Sequence, residues 1–491
     1  MFEKGVPVGE FESILRKGDT VWRVATADRL AFLVDGADYY AALRDALGRA
    51  RQSVVILAWV IDSQLSLVRD QDEDGRPVRL AEFLSHLVGE RPDLHVRIAC
   101  WDHSAIYTFD REFLTRVRLG WTTPERLRFE LDDNHPPGAS LHEKVVVIDD
   151  EVAFIGGFDL GRYRWDTSAH DPDNPLRVTP TGEPYPPFHD VQAVVSGPVA
   201  RVLGDHARRR WRRLTGESIE LVEADSDLWP STVDPAIEDL AVGIVRTQAE
   251  HGNRSEVRET LNLHRSLVAG ARNHIFIENQ YLTADQIGRA LRSRLSEDDP
   301  PTVVAITSKE TEGWLEQLTM GGLRARWCRE IRDADHRSRF AAYCPVNRAG
   351  EPLTVHSKIL TADDQWLYIG SANLANRSMV LDSECGLAIE AGGRDDARRL
   401  IRALRHRLLA EHLDATQSEV AALEEKGSLK DAIETLAGGE RTLVPLPVDA
   451  QELPDSLEPI AQLADPQIVP SLSQVARELV GGDEDDDPDQ T

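Results

Sequence analysis

Lysine, cysteine and long apolar runs are all scarce in this 491-residue chain. Only seven residues are lysine, so arginine supplies 49 of the 56 basic side chains and every lysine position is informative. The four cysteines form no CxxC pair, which argues against a zinc site or a dense disulfide framework and fits a reducing compartment. The longest apolar run, Val54 to Ile61, has eight residues and is too short to span a bilayer.

Positive charge is also in deficit, because 84 acidic side chains face 56 basic ones and the formal net charge is −28. A surface this acidic repels nucleic acid and anionic lipid, so a polyanion would have to enter a locally basic pocket. The N-terminus, MFEKGVPVGE, lacks the basic-then-apolar pattern of a signal peptide. We therefore expect a cytoplasmic protein that is not a general nucleic-acid binder.

Short apolar strands alternate with arginine-rich helices along the chain, which is typical of an α/β fold. The second half repeats the order of the first, so the sequence predicts two copies of one unit. We expect an N-terminal lobe (1–215), a linker (216–250), a C-terminal lobe (251–415) and a helical, proline-rich extension with an acidic tail (416–491). The predicted strands are Val54–Val60, His95–Trp101, Lys144–Ile148, Val152–Ile155, Val191–Val195, His274–Asn279, Val303–Thr307, Ser357–Thr361, Trp366–Ile369 and Gly386–Glu390.

The pattern His-x-Lys-x-x-x-x-Asp occurs twice, at His142–Asp149 and at His356–Asp363. With so few lysines, chance would give about 0.02 such matches in the chain. Each motif begins a predicted strand, and the alternation of a strand places histidine and lysine, two residues apart, on one face. Side chains on one face converge on one ligand. The sequence therefore predicts an anion-binding histidine site that includes Lys144 and Lys358.

Phosphoryl transfer is the chemistry that such a site suits. One neutral imidazole attacks phosphorus while a second, protonated imidazole donates a proton to the leaving oxygen. The lysine ammonium groups stabilise the charge on the non-bridging oxygens, a task often left to metals. The competing interpretation is that His142 and His356 are buried structural histidines.

Residues flanking both motifs extend the predicted site. Ser371 and Asn373 follow the second motif with a hydroxyl and an amide for phosphate oxygens, and Gly157 and Asp159 stand at the same offset after the first. An imidazole also needs a carboxylate to orient it through its second nitrogen. The candidates for that role, each of which is otherwise an ordinary strand-end carboxylate, are Asp190 and Glu384.

Four blocks of sequence carry a resemblance to a known family. AFIGGFDLGRYRWDTSAH extends the first motif, FHDVQAVVSGP follows it, IENQYL precedes the second motif, and VHSKILTADDQWLYIGSANLANRSM contains it. In these blocks the chain resembles the phospholipase D superfamily, and within it the eukaryotic-type phospholipases D. The similarity spans roughly Gly36 to Leu413.

The resemblance implies two α/β lobes of sandwiched mixed sheets and helices, related by a pseudo-twofold axis, with one active site between them. It also implies cleavage through a covalent phosphohistidine, without a metal or another cofactor. By this analogy His142 is the nucleophile and His356 the general acid and later the base, while Lys144, Lys358 and Asn373 hold the phosphate. The remaining motif residues, grouped with the catalytic set but expected to support structure first, are Asp149 and Asp363.

Three further residues are candidates for substrate contact. Gln280 and Tyr281 lie in the IENQYL block at the end of a predicted strand, where α/β sheets place ligands, although a core tyrosine fits equally well. Trp165 begins the proline-rich segment Asp166–His189, where it either contacts lipid or packs inside the loop. The first half also departs from the second, because Gly157 and Asp159 replace Ser371 and Asn373.

These patterns favour a phospholipase D acting on glycerophospholipid, with peripheral membrane contact, water or an alcohol as acceptor, and a monomeric state. Two alternatives share the chemistry, namely a cardiolipin-synthase-like phosphatidyltransferase and a nuclease of the superfamily. The acidic surface argues against the nuclease. A non-catalytic binding protein is the alternative from another class, and the intact motifs argue against it.

Overall fold

The computed structural model of the protein describes residues 13–69, 75–102, 124–223, 226–310, 314–448 and 453–469. The acidic tail predicted from the sequence lies outside these residues. Within the described ranges, no helix has both the length and the apolar content that are needed to cross a bilayer.

Buried apolar strands form the framework of the first half of the chain. The strand SVVILA is buried at every position, as expected for a strand covered on both faces. The elements of this half are β1 (Arg23–Val34), α1 (Asp35–Leu47), β2 (Ser53–Ala58), α2 (Leu80–Glu90), β3 (His95–Trp101), β4 (Leu127–Asp132), β5 (Val145–Ile148), β6 (Val152–Gly156), β7 (Phe188–His189), β8 (Val191–Ser196) and α3 (Pro198–Thr215).

The second half follows the same plan and continues into a C-terminal extension. Its elements are β9 (Ile237–Gln248), β10 (Val257–Arg258), α4 (Glu259–Gly270), β11 (His274–Asn279), α5 (Asp285–Leu295), β12 (Thr302–Ile306), α6 (Trp314–Ala334), β13 (Phe340–Val346), β14 (Thr354–Val355), β15 (Lys358–Ala362), β16 (Trp366–Gly370), α7 (Asn376–Val380), β17 (Glu384–Glu390) and α8 (Asp395–His412). The extension holds α9 (Gln417–Glu424), α10 (Leu429–Leu436), β18 (Thr442–Pro445), a 3₁₀ turn (Asp455–Leu457) and α11 (Glu458–Ala464).

One large mixed sheet runs through both halves in the order β4–β3–β2–β5–β6–β8–β1–β9–β17–β16–β15–β11–β12–β13–β18. Read outward from the β1–β9 pair, the strands of the two halves occur in the same sequence, and β18 is added at one edge. The separate sandwiched sheets expected from the sequence are therefore one continuous sheet. The physical reason is the antiparallel pairing of β1 with β9, which covers two long strand edges that would otherwise be exposed.

Two predicted segments contain strands of this sheet. Residues 216–250, expected as a linker, include β9, which lies at the centre of the sheet. The extension after residue 415 includes β18, which pairs antiparallel with β13. All the predicted strands are present within one or two residues at each end. The structure adds β1, β4, β9, β13 and β18 and the two-residue strands β7, β10 and β14.

The largest apolar cluster belongs to both halves and holds them together. Helix α3 contributes Leu203 and Trp211 to it, and helix α8 contributes Leu404 and Leu408. Strands β1, β8, β9 and β17 supply residues to the same cluster. Because burial of each such side chain stabilises the fold by about 1.5–3 kcal/mol, the two halves form one cooperative body around the predicted site.

Candidate active site

The two motif histidines occupy equivalent places, immediately before β5 and immediately before β15. In each motif the lysine ammonium group donates a hydrogen bond to the backbone carbonyl of its own histidine. The distance from Lys144 Nζ to the His142 oxygen is 3.1 Å, and Lys358 makes the same contact with His356. Histidine and lysine therefore lie on one side of the strand, as their spacing predicts.

Each histidine segment pairs with a segment from the opposite half. The backbone N–H of His142 donates to the Ser383 carbonyl at 3.0 Å, one residue before β17. The backbone N–H of His356 donates to the His189 carbonyl at 2.8 Å, next to the parallel pair formed by β7 and β14. These two contacts place the segment before β17 next to His142, and β7 next to His356.

This pairing gives each histidine a carboxylate from the other half. His142 Nδ1 lies 3.0 Å and 3.1 Å from the two carboxylate oxygens of Glu384. His356 Nδ1 lies 2.7 Å from Asp190 Oδ2. A carboxylate on Nδ1 fixes the ring and its tautomer, so that Nε2 is the nitrogen presented for chemistry. All four groups are buried.

Burial and positive charge act together on both imidazoles. Burial holds the pKa of His142 well below its usual range, and the charges of Lys144 and Lys358 lower it further. The pKa of His356 is also well below its usual range, because of burial, Lys358 and Arg164 in that order. Both lysines thus act on His142 and on His356, and the two rings are neutral at neutral pH in the free protein.

Burial also shifts the pKa values of Glu384, Asp190 and Lys358 towards their neutral forms. Burial raises the pKa of Glu384 to about 8 and that of Asp190 to about 7. Burial also lowers the pKa of Lys358 to about 7. Burial disfavours the charged forms of these side chains, and a bound ligand of opposite charge favours them. An anionic group entering between the lysines would favour the protonated forms of Lys358 and of one imidazole.

Contacts on the far side of the lysines complete the site. Lys144 Nζ lies 3.4 Å from Asp159 Oδ2 and 5.6 Å from the centre of the Trp59 ring. Lys358 Nζ donates to Gln280 Oε1 at 3.2 Å. The structure thus brings Gln280 to the site, and it makes Asp159 the counter-ion of Lys144 rather than a direct phosphate ligand, because two anions repel.

Ser371 and Gly157 support the orienting carboxylates instead of reaching outward as predicted. The Ser371 hydroxyl donates to Glu384 Oε2 and accepts from the backbone N–H of Cys385, and the residue is fully buried. A Cβ atom on Gly157 would lie 2.1 Å from Asp190 Oδ1, so only glycine leaves room for that carboxylate. The first motif therefore has glycine where the second has Ser371, because Asp190 packs directly against Gly157 while Glu384 accepts a hydrogen bond from the Ser371 hydroxyl.

Asn373 keeps a polar atom available for a ligand. Its backbone N–H donates to the Ser378 hydroxyl at 3.2 Å, which fixes the loop after β16. Its buried Oδ1 atom has no hydrogen-bond partner among the described residues. A buried amide atom without a protein partner is costly unless a ligand or water satisfies it. The prediction that Asn373 binds phosphate is consistent with this position.

Two predicted contact residues pack against apolar side chains. Trp165 is only 5% exposed and belongs to the apolar core of the first half, with the Arg69 guanidinium 5.3 Å from its ring centre. Tyr281 packs against the apolar cluster that contains Met320 and Leu323. The predicted contact of Trp165 with an acyl chain or head group is therefore wrong, because core packing covers its ring. Tyr281 is only partly buried, and its contact with substrate stays a prediction.

The motif aspartates do not reach the histidines. Asp149 accepts hydrogen bonds from three successive backbone N–H groups at the start of β2, at 2.6–2.9 Å. Asp363 accepts three at the start of β11, at 2.8–3.0 Å. At about 3.3 Å per residue, each lies about 16 Å along its strand from the motif lysine. The sequence prediction grouped Asp149 and Asp363 with the catalytic residues, and this grouping is wrong. Their carboxylates bind the backbone N–H groups at the starts of β2 and β11 and so have a structural role.

Sequence reasoning missed two side chains next to His142, Trp59 and Asp382. The Trp59 ring packs edge-on against His142, with ring centres 5.8 Å apart, and stacks on Trp101. Asp382 accepts from the Ser140 backbone and hydroxyl, both at 2.8 Å, and so holds the chain just before His142. Trp59 directly follows β2, and the ends of strands are where α/β sheets place ligands, so its position in the sequence could have marked it as a residue of the site.

Comparison with known proteins agrees with the two motifs. A family model described as cardiolipin synthase, PLD-like domain, matches residues 265–406, which include His356 and Lys358. Phospholipase D A of Dictyostelium discoideum is 24% identical over 458 residues, covering 77% of this chain and 35% of that protein. Phospholipase D alpha 1 of Nicotiana tabacum is 24% identical over 530 residues, covering 77% of this chain and 65% of that protein. Residues 265–406 thus match a PLD-like domain, and over 77% of its length the chain is similar to phospholipases D.

The fold of the chain also resembles that of a solved structure. Phosphatidylserine synthase of Haemophilus influenzae Rd KW20 aligns with a TM-score of 0.52 at 14% identity, covering 79% of this chain and 87% of that chain. At that identity the likeness concerns the fold alone. The chain spans between about one third and two thirds of the length of the two curated relatives.

Because the motif aspartates bind the backbone at the starts of strands, substitution of Asp363 is expected to lower the stability of the protein and to leave its catalytic rate nearly unchanged. Asp363→Asn keeps one acceptor oxygen but removes the charge that three N–H groups share, and hydrogen bonds to charged groups contribute about 1.5–3 kcal/mol each. We expect urea denaturation to show unfolding free energy lower by about 2–4 kcal/mol, with kcat of the folded enzyme nearly unchanged. Asp395→Asn, which affects an exposed ion pair with Arg398, is the control. A large fall in kcat at unchanged stability would contradict this role.

Proposed function

We propose that the protein is a phosphodiesterase that works through a phosphohistidine intermediate, with two homologous lobes and one active site between them. The observation that carries the proposal is the crossed pairing, in which Glu384 orients His142 and Asp190 orients His356. Neither half alone supplies both a motif histidine and the carboxylate that orients it. The site therefore requires both halves, and it offers two oriented imidazoles and two lysines to one anionic group.

In the first proposed step, neutral His142 attacks phosphorus through Nε2. A bond forms between that nitrogen and phosphorus, and the bond from phosphorus to the leaving oxygen breaks. Protonated His356 gives its proton to the leaving oxygen, which departs as an alcohol. Lys144, Lys358 and the Asn373 amide bind the non-bridging oxygens, whose charge they stabilise in the transition state. The low pKa of His142 keeps its ring unprotonated and nucleophilic.

The second proposed step reverses these roles. His356, now neutral, accepts a proton from water or an alcohol, whose oxygen attacks phosphorus. The bond from phosphorus to His142 Nε2 breaks, and the product leaves as a phosphate monoester with water or as a new diester with an alcohol. Glu384 holds His142 in one orientation through both steps, and Asp190 does the same for His356.

Glycerophospholipid is the substrate class that we propose, with peripheral membrane contact and a monomeric enzyme. Two relatives that align with 77% of this chain are named phospholipases D. The net charge of −28 favours a zwitterionic or dispersed lipid over a strongly anionic surface. The match to a cardiolipin synthase family model over residues 265–406 supports phosphatidyl transfer to an alcohol as the second candidate.

Incubation with phosphatidylcholine and ethanol, without added divalent cation, tests the proposal. We expect free choline together with phosphatidylethanol, because water and ethanol compete for one phosphohistidine. Release of choline with phosphatidate alone would support hydrolysis and contradict transfer, whereas transfer to glycerol compounds without hydrolysis would favour the second candidate. Cleavage of single-stranded DNA with no turnover of lipid would overturn the lipid assignment and leave a nuclease.

A further inference from the structure

A buried cluster of histidines and carboxylates lies where the two halves meet, beside the candidate active site. It consists of Asp35 at the start of α1, His170 in the proline-rich loop, His189 in β7 and Glu411 in α8. We refer to these four residues as the junction cluster. One side-chain atom from each of the four lies within 4.8 Å of the others, and all four residues are buried. The first three come from the first half and Glu411 from the second.

The spacing within the junction cluster is that of ligands around one small ion. His189 Nδ1 lies 2.8 Å from Glu411 Oε1 and 3.0 Å from Asp35 Oδ1. His170 Nε2 lies 3.1 Å from Glu411 Oε1 and 3.8 Å from Asp35 Oδ2. A tetrahedral zinc ion with bonds of about 2.0–2.1 Å holds its ligand atoms about 3.3 Å apart. The four observed distances from ring nitrogen to carboxylate oxygen bracket that value, with Asp35 offering Oδ1 to His189 and Oδ2 to His170.

A second layer of carboxylates faces the outer nitrogens of both rings. His170 Nδ1 lies 3.0 Å from Asp166 Oδ2, and His189 Nε2 lies 2.9 Å from Glu278 Oε1. Histidines that bind a metal through one nitrogen nearly always donate the other N–H to such an acceptor. This arrangement fixes which nitrogen points inward. For both rings, the inward nitrogen is the one that faces Glu411.

Without a metal ion, protons would have to satisfy every contact between the two rings and the carboxylates of the junction cluster. Each ring has carboxylates at both nitrogens, so satisfying every contact with protons requires either a proton on one of the carboxyl groups or two imidazolium ions, whose ring centres would lie 5.7 Å apart. Glu411 Oε1 would have to accept from both of them. Two buried like charges at that distance are costly. A single divalent cation replaces both inner protons and leaves neutral imidazoles, which are its normal ligands.

We propose that Asp35, His170, His189 and Glu411 bind one zinc ion, which joins the two halves of the protein. Imidazole nitrogen together with carboxylate oxygen suits zinc among the common ions, whereas calcium and magnesium take oxygen alone. Four protein ligands close the coordination sphere, as in a structural site. The ligands come from four separate segments without a short spacing motif, so the sequence pattern predicted no metal.

The proposed ion would act on the active site through its neighbours. His189 precedes Asp190, which orients His356, and the His189 carbonyl accepts the backbone N–H of His356 at 2.8 Å. The ion would therefore fix the position of the general acid without touching the substrate. Asp190 and His189 are positioning residues in this arrangement, and loss of the ion is expected to lower both thermal stability and kcat.

Metal analysis of the full-length, tag-free protein tests the proposal without any assay of activity. We expect one zinc per chain after dialysis against Zn²⁺ and removal of the excess. X-ray absorption at the zinc edge is expected to show two imidazole nitrogens and two carboxylate oxygens at about 2.0–2.1 Å. Wild-type protein that retains no zinc, or whose zinc has sulfur ligands or fewer than two imidazoles, would overturn the proposal.

Two variants locate the bound ion. Glu411→Gln removes the oxygen shared by both rings, and we expect the stoichiometric zinc to be lost. His406→Gln is the matched control, because His406 is a buried histidine of the same helix that pairs with a single carboxylate, Glu424. We expect it to retain one zinc per chain. Full retention of zinc with an unchanged absorption spectrum in Glu411→Gln would overturn the assignment, and the wild-type spectrum decides even where this variant fails to fold.

Discussion

His142→Ala is expected to abolish the covalent intermediate, whereas His356→Ala is expected to trap it. The difference follows from the proposed roles, because only His142 bonds to phosphorus and only His356 moves protons. Loss of a nucleophile that acts together with its partners costs on the order of 10⁶ in kcat. Loss of a general acid costs about 10²–10⁴, and that part of the cost disappears when the leaving group needs no proton.

A phosphodiester with a p-nitrophenol leaving group separates the two cases. Its phenolate departs unprotonated, so His356→Ala should release one equivalent of p-nitrophenol rapidly and then stall, because no base activates water for the second step. Intact-protein mass measurement after an alkaline quench should detect the acid-labile adduct on His142. His142→Ala should show neither the burst nor the adduct.

The matched control is His264→Gln, which alters a buried histidine that contacts Tyr368 and the Thr260 backbone, away from both motifs. It should keep steady-state turnover. The opposite pattern, with a burst in His142→Ala and none in His356→Ala, would exchange the two roles. Equal burst kinetics in both variants would contradict a mechanism in which one histidine is the nucleophile and the other the acid.

The parts of the site that are local in sequence were predictable. His142 and Lys144 share a face because a strand alternates, and the same holds for His356 and Lys358. The strand His274–Asn279 has the predicted bounds because its apolar run is short and sharply ended. β1 and β9 were missed because charged residues interrupt both strands where their ends are exposed, which hides their periodicity.

The parts that depend on contact between the halves were not predictable. Glu384 and Asp190 were recognised as orienting carboxylates, but the sequence could not say that each serves the histidine of the other half. That pairing arises from the β7–β14 contact and from the bridge between Leu141 and Ser383. Trp165 was misplaced for a related reason, since its polar neighbours in sequence give no sign of the core that packs on it.

Glu384→Gln is expected to stabilise the protein while removing most of its activity. Burial of Glu384, with the nearby charge of Asp382, raises the carboxyl pKa from 4.5 to about 8. Between those values the folded protein keeps a proton that the unfolded chain has released. The free energy of unfolding therefore falls as pH rises through that window, by about 1.4 kcal/mol for each unit of pKa difference.

Glutamine carries no charge at any pH, so in Glu384→Gln residue 384 no longer lowers the free energy of unfolding as the pH rises. We expect urea denaturation at a series of pH values to show the variant and wild type closest near pH 5. The advantage of the variant should grow by several kcal/mol towards pH 8. Glu390→Gln, at the opposite end of β17, is the control for replacing a carboxylate of this strand by an amide.

The activity of Glu384→Gln should fall even as its stability rises. The ionised form of Glu384 accepts from Nδ1 and fixes the tautomer of His142 that exposes Nε2, which an amide does not, and replacing an orienting carboxylate by its amide costs on the order of 10⁴ in kcat in the serine-protease triad. A variant that gains stability at pH 8 and keeps full kcat would show that Glu384 does not orient the nucleophile. Buried carboxylates that destabilise the folded protein are maintained where chemistry requires them, and both Glu384 and Asp190 fit that description.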